Sequence, residues 1–250
     1  HADYAALERQ LKGDSSAHKL IVTDGVFSMD GDIVDLPLLL RLAEQYQAWV
    51  LVDDAHGIGT LGAGGQGCVA HFGLQGVQRL CVVATFGKAA GAAGAAIIAP
   101  QPVIEWLTQS ARPYIYTTAS SPAMAHALQT SIALMQGQEG QMRREQLQLM
   151  VAYFRHGMQR LLSRLSARLQ RPWHLLPSHT AIQPLVVGSN ADALALADGL
   201  RQAGFAVSAI RPPTVPVDTA RLRLTLSAAH TQEHIDALLA AIERIALELS

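Results

Sequence analysis

The chain has 250 residues, half of them hydrophobic, and a formal net charge of −1 at pH 7. A chain of this length and composition can bury a substantial core, as one large domain or two modest ones. Its charge excludes the basic surface that binds nucleic acid, because acids balance the scattered arginines and only three lysines are present.

The apolar segments are too short for a membrane protein. Gly, Pro or charged residues interrupt them before they reach the roughly 18 residues that predict a membrane span. Cys68 and Cys81 occur in no metal-binding pattern, and we interpret them as reduced, packed thiols of a cytoplasmic protein. The chain starts at His1, and residues 1–11 predict an amphipathic helix suited to pack on a body outside this sequence. We therefore expect truncation of a longer protein.

The first part of the chain predicts an α/β domain over residues 1–137. Residues 19–23 form a short β-branched run followed by the turn residues Asp24 and Gly25, which is typical of a buried strand. A helix is predicted over 36–47, with Asp35 as its N-cap. Further strands are predicted at 48–53, 80–85 and 95–99. Their continuous apolar character indicates a mostly parallel sheet with helices on both faces.

The rest predicts a smaller α+β domain over residues 138–250. The first domain ends with a helix that Pro122 opens. Residues 141–169 then carry apolar side chains at steps of three and four, which predicts one long amphipathic helix, too short in heptads for a coiled coil. The later predicted elements are a strand at 181–187, a helix at 192–203, strands at 205–210 and 221–226, and a helix from about 231.

An acid and a histidine follow one of the buried strands. Asp53 ends strand 48–53, and ligands of parallel sheets bind outside the carboxyl ends of the strands. A carboxylate there can pair with the protonated pyridine nitrogen of pyridoxal phosphate (PLP), or it can cap a loop. By alternation Asp54 faces the other side of the sheet and is assigned to structure. His56 can contact a cofactor ring or simply pack.

Lys88 follows strand 80–85 at the sheet edge where Asp53 is expected to emerge. A lysine that carries a cofactor on its amine needs partial desolvation and neighbours small enough for close approach. Glycines and alanines fill residues 87–96 apart from Lys88 itself. No other lysine follows in the chain, so Lys88 is the candidate for covalent attachment of PLP.

Several hydroxyl groups are candidates for the cofactor phosphate. Thr85 ends the strand before Lys88. A second group precedes a predicted helix whose N-terminal amides favour an anion, and comprises Thr117, Thr118, Ser120 and Ser121. Helix capping is the alternative role for Ser120 and Ser121.

One segment fits the sequence pattern of a dinucleotide-binding motif but lacks the structural context that such a site needs. Residues 57–62 read GxGxxG after a strand, but such a site also needs a helix that opens at the motif and an acid about 20 residues later. Residues 61–67 are too rich in glycine to start a helix, and the acid is missing. A metal site on Asp53, Asp54 and His56 is also disfavoured, because the sequence offers no further cluster of ligands to complete it.

Five stretches of the chain carry a family resemblance: residues 24–32 (DGVFSMDGD), 52–57 (VDDAHG), 85–88 (TFGK), 210–216 (IRPPTVP) and 220–230 (ARLRLTLSAAH). Together they resemble the α-oxoamine synthases, a family of fold-type I PLP enzymes that join an amino acid to an acyl thioester with loss of carbon dioxide. The resemblance spreads over nearly all 250 residues. It implies a PLP-transferase fold of type I: a mostly parallel sheet flanked by helices, then a smaller α+β domain.

The resemblance also implies roles in cofactor binding. Lys88 carries PLP on its amine and removes the α-proton of the amino acid substrate. Asp53 pairs with the pyridinium nitrogen, and His56 and Ser28 contact the side of the ring that bears the hydroxyl. Thr85 contacts the phosphate.

Substrates and partners follow from the same resemblance. Arg223 holds a substrate carboxylate, and Thr214 faces the substrate; surface charge on an edge strand is the alternative role for Arg221 and Arg223. Thr85-Phe86-Gly87-Lys88 followed by Gly94-Ala95-Ala96 is similar to the members that condense L-alanine with a pimeloyl thioester in biotin biosynthesis. The thioester is carried on coenzyme A or acyl carrier protein, and the enzyme is a homodimer.

Two alternatives stay open. A related synthase would use glycine with an acetyl or succinyl thioester, and a catalytically dead fragment would serve only in assembly. Family members have a long preceding stretch that supplies part of the sheet and a histidine that stacks on the PLP ring. If these 250 residues are the whole molecule, we expect weak PLP retention and little turnover.

Overall fold

The structure, a computed structural model, describes residues 1–169 and 171–249. The chain divides into two compact units. The first consists of His1–Val26 and Ile33–Met142, and the second of Phe27–Asp32 and Arg143–Ser250. The short segment Phe27–Asp32 therefore belongs to the second unit, although the sequence around it belongs to the first.

A four-stranded sheet organises the first unit. Its order is β1-β2-β3-β4, with β1, β2 and β3 parallel and β4 antiparallel to β3. The strands are β1 Lys19–Asp24, β2 Ala48–Asp53, β3 Leu80–Thr85 and β4 Ala95–Ile98. The four strands predicted in this part of the sequence are all present, because short β-branched runs bounded by turn residues are a strong strand signal.

Helices precede, separate and follow these strands along the chain. The first unit contains α1 Tyr4–Gly13, α2 Leu36–Gln45, a 3₁₀ turn at Ala63–Gly65, α3 Gly67–His71, α4 Gln101–Ser110, α5 Arg112–Ile115 and α6 Pro122–Gln136. Helix α2 starts where predicted, because the Asp35 carboxylate accepts the Leu38 amide at 3.0 Å. Helices α3, α4 and α5 were not predicted. The prediction that residues 61–67 are too rich in glycine to start a helix is wrong at Gly67, where the short helix α3 begins.

The outer strands of this sheet are less covered than the sequence predicted. Ile97 and Ile98 of β4 are 47% and 56% exposed, and Leu20 and Val22 of β1 are 58% and 65% exposed. Side chains on these two strands are therefore exposed among the described residues, although the sheet is mostly parallel and flanked by helices, as predicted. β1 and β4 are the two edges of the described sheet, so each has a neighbour on one side only.

Helix α1 has contacts within this chain. The Tyr4 hydroxyl accepts the amide hydrogen of Asp35 at 2.8 Å, and the Tyr46 hydroxyl donates to the Glu8 carboxylate at 3.3 Å. Leu11 is buried. The helix therefore packs in part on residues beside α2, and the expectation of a packing partner outside this sequence stays a prediction.

Within its described residues, the second unit contains a four-stranded antiparallel sheet and the helices α7, α8 and α9. The strand order is β5-β6-β8-β7, and α7, α8 and α9 supply much of one apolar core. The elements are α7 Gln138–Leu165, which belongs to this unit from Arg143 onward, β5 His174–Leu175, β6 Ile182–Gly188, α8 Asn190–Gln202, β7 Ser208–Ile210, β8 Ala220–Thr225 and α9 Gln232–Glu248. Phe154 and Met158 of α7 are fully buried in this core. None of the helices among the described residues is both long and apolar enough to span a membrane.

Candidate functional site

Two candidate residues lie at the carboxyl end of the parallel sheet, on the same face. In the register of β2 and β3, Asp53 stands opposite Val83. Thr85 is two residues beyond Val83, and side chains two apart on a strand share a face. The backbone therefore places the Asp53 carboxylate and the Thr85 hydroxyl on one side of neighbouring strands.

The turn after β2 carries Asp53 and His56. The exposed Asp53 carboxylate accepts the Ala55 amide at 2.9 Å. The half-buried His56 contributes its carbonyl oxygen, which accepts the Thr60 hydroxyl at 2.9 Å. These local bonds fix the backbone from which both side chains project.

Lys88 lies in the loop that joins β3 to β4. The loop is closed by the Phe86 amide, which donates to the Gly94 carbonyl at 3.0 Å, and by the Gly91 amide, which donates to the Lys88 carbonyl at 3.0 Å. Lys88 and its neighbours Gly87 and Ala89 are exposed. The predicted partial desolvation of Lys88 is therefore wrong for the described structure, because glycine and alanine are too small to cover a lysine.

Two contacts anchor this loop to the rest of the first unit. Ser131 of α6 donates its hydroxyl to the carbonyl oxygen of the buried Ala90 at 2.7 Å. Gly59 has φ +82°, and a Cβ added there would lie 2.5 Å from the Cβ of Ala89. Only glycine permits both that backbone conformation and that approach. The turn after β2 and the Lys88 loop therefore lie against each other.

One hydroxyl at this sheet edge is buried without a hydrogen bond. Among the described residues, the Thr85 Oγ1 has no hydrogen-bond partner. A buried hydroxyl in that state is costly unless a ligand satisfies it. The other hydroxyl candidates, Thr117, Thr118, Ser120 and Ser121, are exposed. Ser121 is the N-cap residue of α6 but makes no side-chain capping bond.

Asp54 is fully buried, as strand alternation predicted. Its Oδ2 accepts the Cys68 amide at 2.7 Å. Burial raises the pKa of the Asp54 carboxyl, an effect that the bonds from Cys68 oppose. Burial and the Asp54 carboxylate together raise the pKa of the Cys68 thiol. Cys68 and Cys81 are both buried free thiols, as predicted.

The segment that matches GxGxxG folds as turns. The amides of Gly57 and Ile58 both donate to the Asp54 carbonyl at 3.0 Å, and the Gly59 amide donates to the Gly65 carbonyl at 2.8 Å. The next α-helix, α3, begins at Gly67 and spans five residues. The motif therefore does not open a helix, which the dinucleotide site requires.

In the second unit, Arg223 contacts Ser28. Arg223 donates its Nε–H to the Ser28 carbonyl at 2.6 Å and an Nη1–H to the Thr225 hydroxyl at 3.2 Å. Partial burial lowers the pKa of the Arg223 guanidinium. Thr214 lies in an exposed turn, where its amide donates to the Arg211 carbonyl at 3.0 Å.

Arg221 is buried and makes its polar contacts within the second unit. It is 5% exposed, pairs with Asp30, and donates Nε–H to the Thr219 carbonyl at 3.1 Å. Strand β8, which carries both Arg221 and Arg223, lies between β6 and β7. The alternative of surface charge on an edge strand is therefore wrong for both residues.

The structure groups the predicted residues in two sets. Asp53, His56, Thr85 and Lys88 belong to the strand ends and loops of the first unit, whereas Ser28, Thr214 and Arg223 belong to the second. Sequence reasoning missed Gly59 and Ser131, which hold the Lys88 loop. For Gly59 a signal was present, since glycine in a tight turn commonly marks a left-handed backbone or a close approach of another segment.

Comparison with known proteins places the chain in a family. The sequence model of the family "Aminotransferase class I and II" matches residues 1–242. The chain belongs to this family.

Relatives of known name share about half of its residues. The 8-amino-7-oxononanoate synthase of Leptothrix cholodnii is 54% identical over 250 residues, which are 100% of this chain and 60% of the relative. The enzyme of the same name from Ralstonia pickettii is 54% identical over 243 residues, 97% of this chain and 57% of the relative. The chain thus spans about 60% of the length of the curated relatives it matches.

Solved structures share the fold. A serine palmitoyltransferase from S. paucimobilis, with a bound PLP–myriocin aldimine, superposes with a TM-score of 0.87 at 27% identity, over 100% of this chain and 61% of that one. The 8-amino-7-oxononanoate synthase of Francisella tularensis superposes with a TM-score of 0.79 at 28% identity, over 98% of this chain and 66% of that one. The predicted fold class, a type I PLP-transferase fold with a smaller α+β domain, is confirmed.

Proposed function

We propose that this chain is the part of an 8-amino-7-oxononanoate synthase that attaches PLP, and that it condenses L-alanine with a pimeloyl thioester. The observation that carries the proposal is the common edge of β2 and β3. There a carboxylate and an orphaned buried hydroxyl share one sheet face, and the next loop carries a lysine among small residues. The names of the relatives at 54% identity support the choice of substrates.

The residues of the first unit fit the cofactor. Lys88 would carry PLP on its amine and later take the α-proton of alanine. The exposed Asp53 carboxylate would hold the pyridine nitrogen protonated, and the bound ring would then act as an electron sink for charge that develops at the α-carbon. The Thr85 hydroxyl would donate to the phosphate, which would satisfy the group that is buried without a partner.

Two further residues complete the proposed cofactor set. His56 projects from the turn beside Asp53, and its imidazole would contact the ring and assist proton movement. Ser28 would contact the hydroxyl side of the ring. Its backbone is held by Arg223 in the second unit.

Substrate recognition is assigned to the second unit. Arg223 is half-buried and uses its Nε–H and one Nη1–H within the protein. A planar guanidinium has five N–H donors, so it retains donors for a substrate carboxylate. Thr214, on an exposed turn, would face the substrate.

We further propose the cellular context and assembly. Two buried free thiols are consistent with a reducing cytoplasm. The active form would be a homodimer, and coenzyme A or acyl carrier protein would deliver the pimeloyl group. The domains are proposed as residues 1–137, the carboxyl-terminal portion of the PLP-binding domain, and 138–250.

The experiment is a condensation assay with the purified synthase that contains this chain, PLP and pimeloyl-coenzyme A, in which alanine and glycine are compared. Alanine should yield 8-amino-7-oxononanoate, and Lys88→Ala should abolish the product. Lys12→Ala, which removes an exposed lysine of α1, is the matched control and should behave as wild type. Preference for glycine would assign a related synthase, and product formation by Lys88→Ala would refute the assignment of the base.

A further inference from the structure

Asp54 is a buried carboxylate that the proposed chemistry does not use. It lies between the two candidate residues Asp53 and His56, yet it is 0% exposed. A buried carboxylate without an ionic partner is costly, so its presence calls for a function in the structure around it.

The Asp54 side chain joins the turn after β2 to the start of α3. Its Oδ2 accepts the Cys68 amide at 2.7 Å, in the first turn of α3, where the side chain of the N-cap residue Gln66 makes no capping hydrogen bond. Its backbone carbonyl accepts the amides of Gly57 and Ile58 at 3.0 Å each. Asp54 therefore holds the turn that carries His56 in two ways: its side chain bonds to α3, and its carbonyl bonds to the amides of the turn.

Three glycines leave space for this carboxylate. An added Cβ would lie 2.7 Å from Asp54 Oδ1 at Gly25, 2.0 Å from Oδ1 at Gly57 and 1.9 Å from Oδ2 at Gly67. Gly25 and Gly57 do not have positive φ, so at these two positions space alone requires glycine. The residue after β1, the turn after β2 and the first residue of α3 are thus all packed against the Asp54 carboxylate.

We propose that Asp54 is a positioning residue, whose carboxylate holds the turn 54–58 so that Asp53 and His56 meet the cofactor in the required geometry. This inference rests on the proposed function. Catalytic groups must be held within a fraction of an ångström by their supporting residues, and a displacement of about 1 Å can cost about a hundredfold in rate.

The test compares Asp54→Ala with Asp35→Ala. Asp35 makes the equivalent bond at the start of α2, where it accepts the Leu38 amide at 3.0 Å, but it lies outside the proposed site. Both variants lose a side-chain bond to an amide in the first turn of a helix. Because Asp35 is exposed and Asp54 is buried, Asp54→Ala should lose more stability, and the two are therefore compared at a temperature where both are folded. We expect PLP affinity to fall roughly tenfold or more in Asp54→Ala at a temperature where circular dichroism shows an intact fold, and to be unchanged in Asp35→Ala.

A second readout does not depend on the cofactor. Amide hydrogen exchange of Gly57 and Ile58 should accelerate in Asp54→Ala and not in Asp35→Ala, because only the first variant loosens the turn. Unchanged exchange at these amides would overturn the inference, even if PLP did not bind.

The outcomes separate the two claims. If wild-type protein binds no PLP on Lys88, the proposed function fails, and hydrogen exchange alone decides the role of Asp54. If wild type binds PLP and Asp54→Ala binds it equally well, the positioning role is refuted and the proposed function stands.

A double-mutant cycle gives an independent check. Gly57→Ala should disturb the turn strongly in wild type, because the new methyl group would displace the Asp54 carboxylate. In the Asp54→Ala background the same substitution should have a much smaller effect on exchange of the Ile58 amide. Equal effects in both backgrounds would contradict the contact on which the inference depends.

Discussion

Arg223 donates its Nε–H to the backbone carbonyl of Ser28, at 2.6 Å and across 195 positions of sequence. The bond links a residue proposed to hold a substrate carboxylate to one proposed to contact the cofactor. Arg223→Lys should raise the KM for the substrate that carries the carboxylate by about tenfold or more, because lysine cannot form a planar two-point contact. Steady-state kinetics with each substrate varied in turn checks this.

The control for this substitution lies on the same strand. Thr225→Ala removes the exposed hydroxyl that Arg223 contacts at 3.2 Å, without changing the guanidinium. Its KM values should stay within about twofold of wild type. An Arg223→Lys enzyme with unaltered KM values would show that Arg223 only supports the segment around Ser28.

Arg221 should matter for stability more than an arginine in an exposed ion pair does. It is 5% exposed and pairs with Asp30, so Arg221→Ala should lower the free energy of unfolding by about 3 kcal/mol. Arg244→Ala breaks an exposed pair with Glu248 and should cost less than about 1 kcal/mol. Urea unfolding followed by circular dichroism measures both, and equal costs would contradict the structural role assigned to Arg221.

Gly59 and Gly76 form a matched pair for testing the Lys88 loop. Both have φ near +80°, but a Cβ at Gly59 would meet the Ala89 Cβ at 2.5 Å, whereas nothing lies within 4 Å at Gly76. Gly76→Ala should cost only the backbone strain of about 1 kcal/mol. Gly59→Ala should cost more and should also weaken PLP binding. Identical thermal unfolding and PLP binding of the two variants would show that the close approach to Ala89 is unimportant.

The sequence predicted the strands better than the short helices. The runs 48–53 and 80–85 match β2 and β3 at both ends, because a continuous apolar run between turn residues leaves little choice of structure. Helix α4 was not predicted and buries none of its residues. Its available signal was Pro102 in the first turn, a weaker cue than a buried apolar stripe.

The buried Asp54 carboxyl predicts a pH dependence of stability. Burial raises its pKa in the folded state above the usual value of 3.8, against the opposing bonds from Cys68. Its stabilising contribution is therefore complete below pH 3.8 and is lost as the pH rises through the raised pKa. Wild type should lose stability relative to Asp54→Asn over that range. Thermal unfolding midpoints at a series of pH values check this, and parallel curves for the two proteins would contradict it.

The sequence indicated the chemistry of the site but not its supports. Asp53, Thr85 and Lys88 could be proposed from the sequence because they end or follow strands, and the carboxyl ends of parallel strands meet at one edge. Ser131, which holds the Ala90 carbonyl, is separated from it by 41 positions. No local pattern predicts such a contact, since it depends on how a distant helix packs.

The central claim is that Lys88 carries the cofactor. The chain has three lysines, Lys12, Lys19 and Lys88, so attachment can be assigned without ambiguity. Purified protein is incubated with saturating PLP, reduced with borohydride, digested, and its peptides are analysed by mass spectrometry. We predict a pyridoxyl group on the peptide that contains Lys88, in excess over the other two lysines. Modification confined to Lys12 or Lys19, or its absence from all three, would contradict the account.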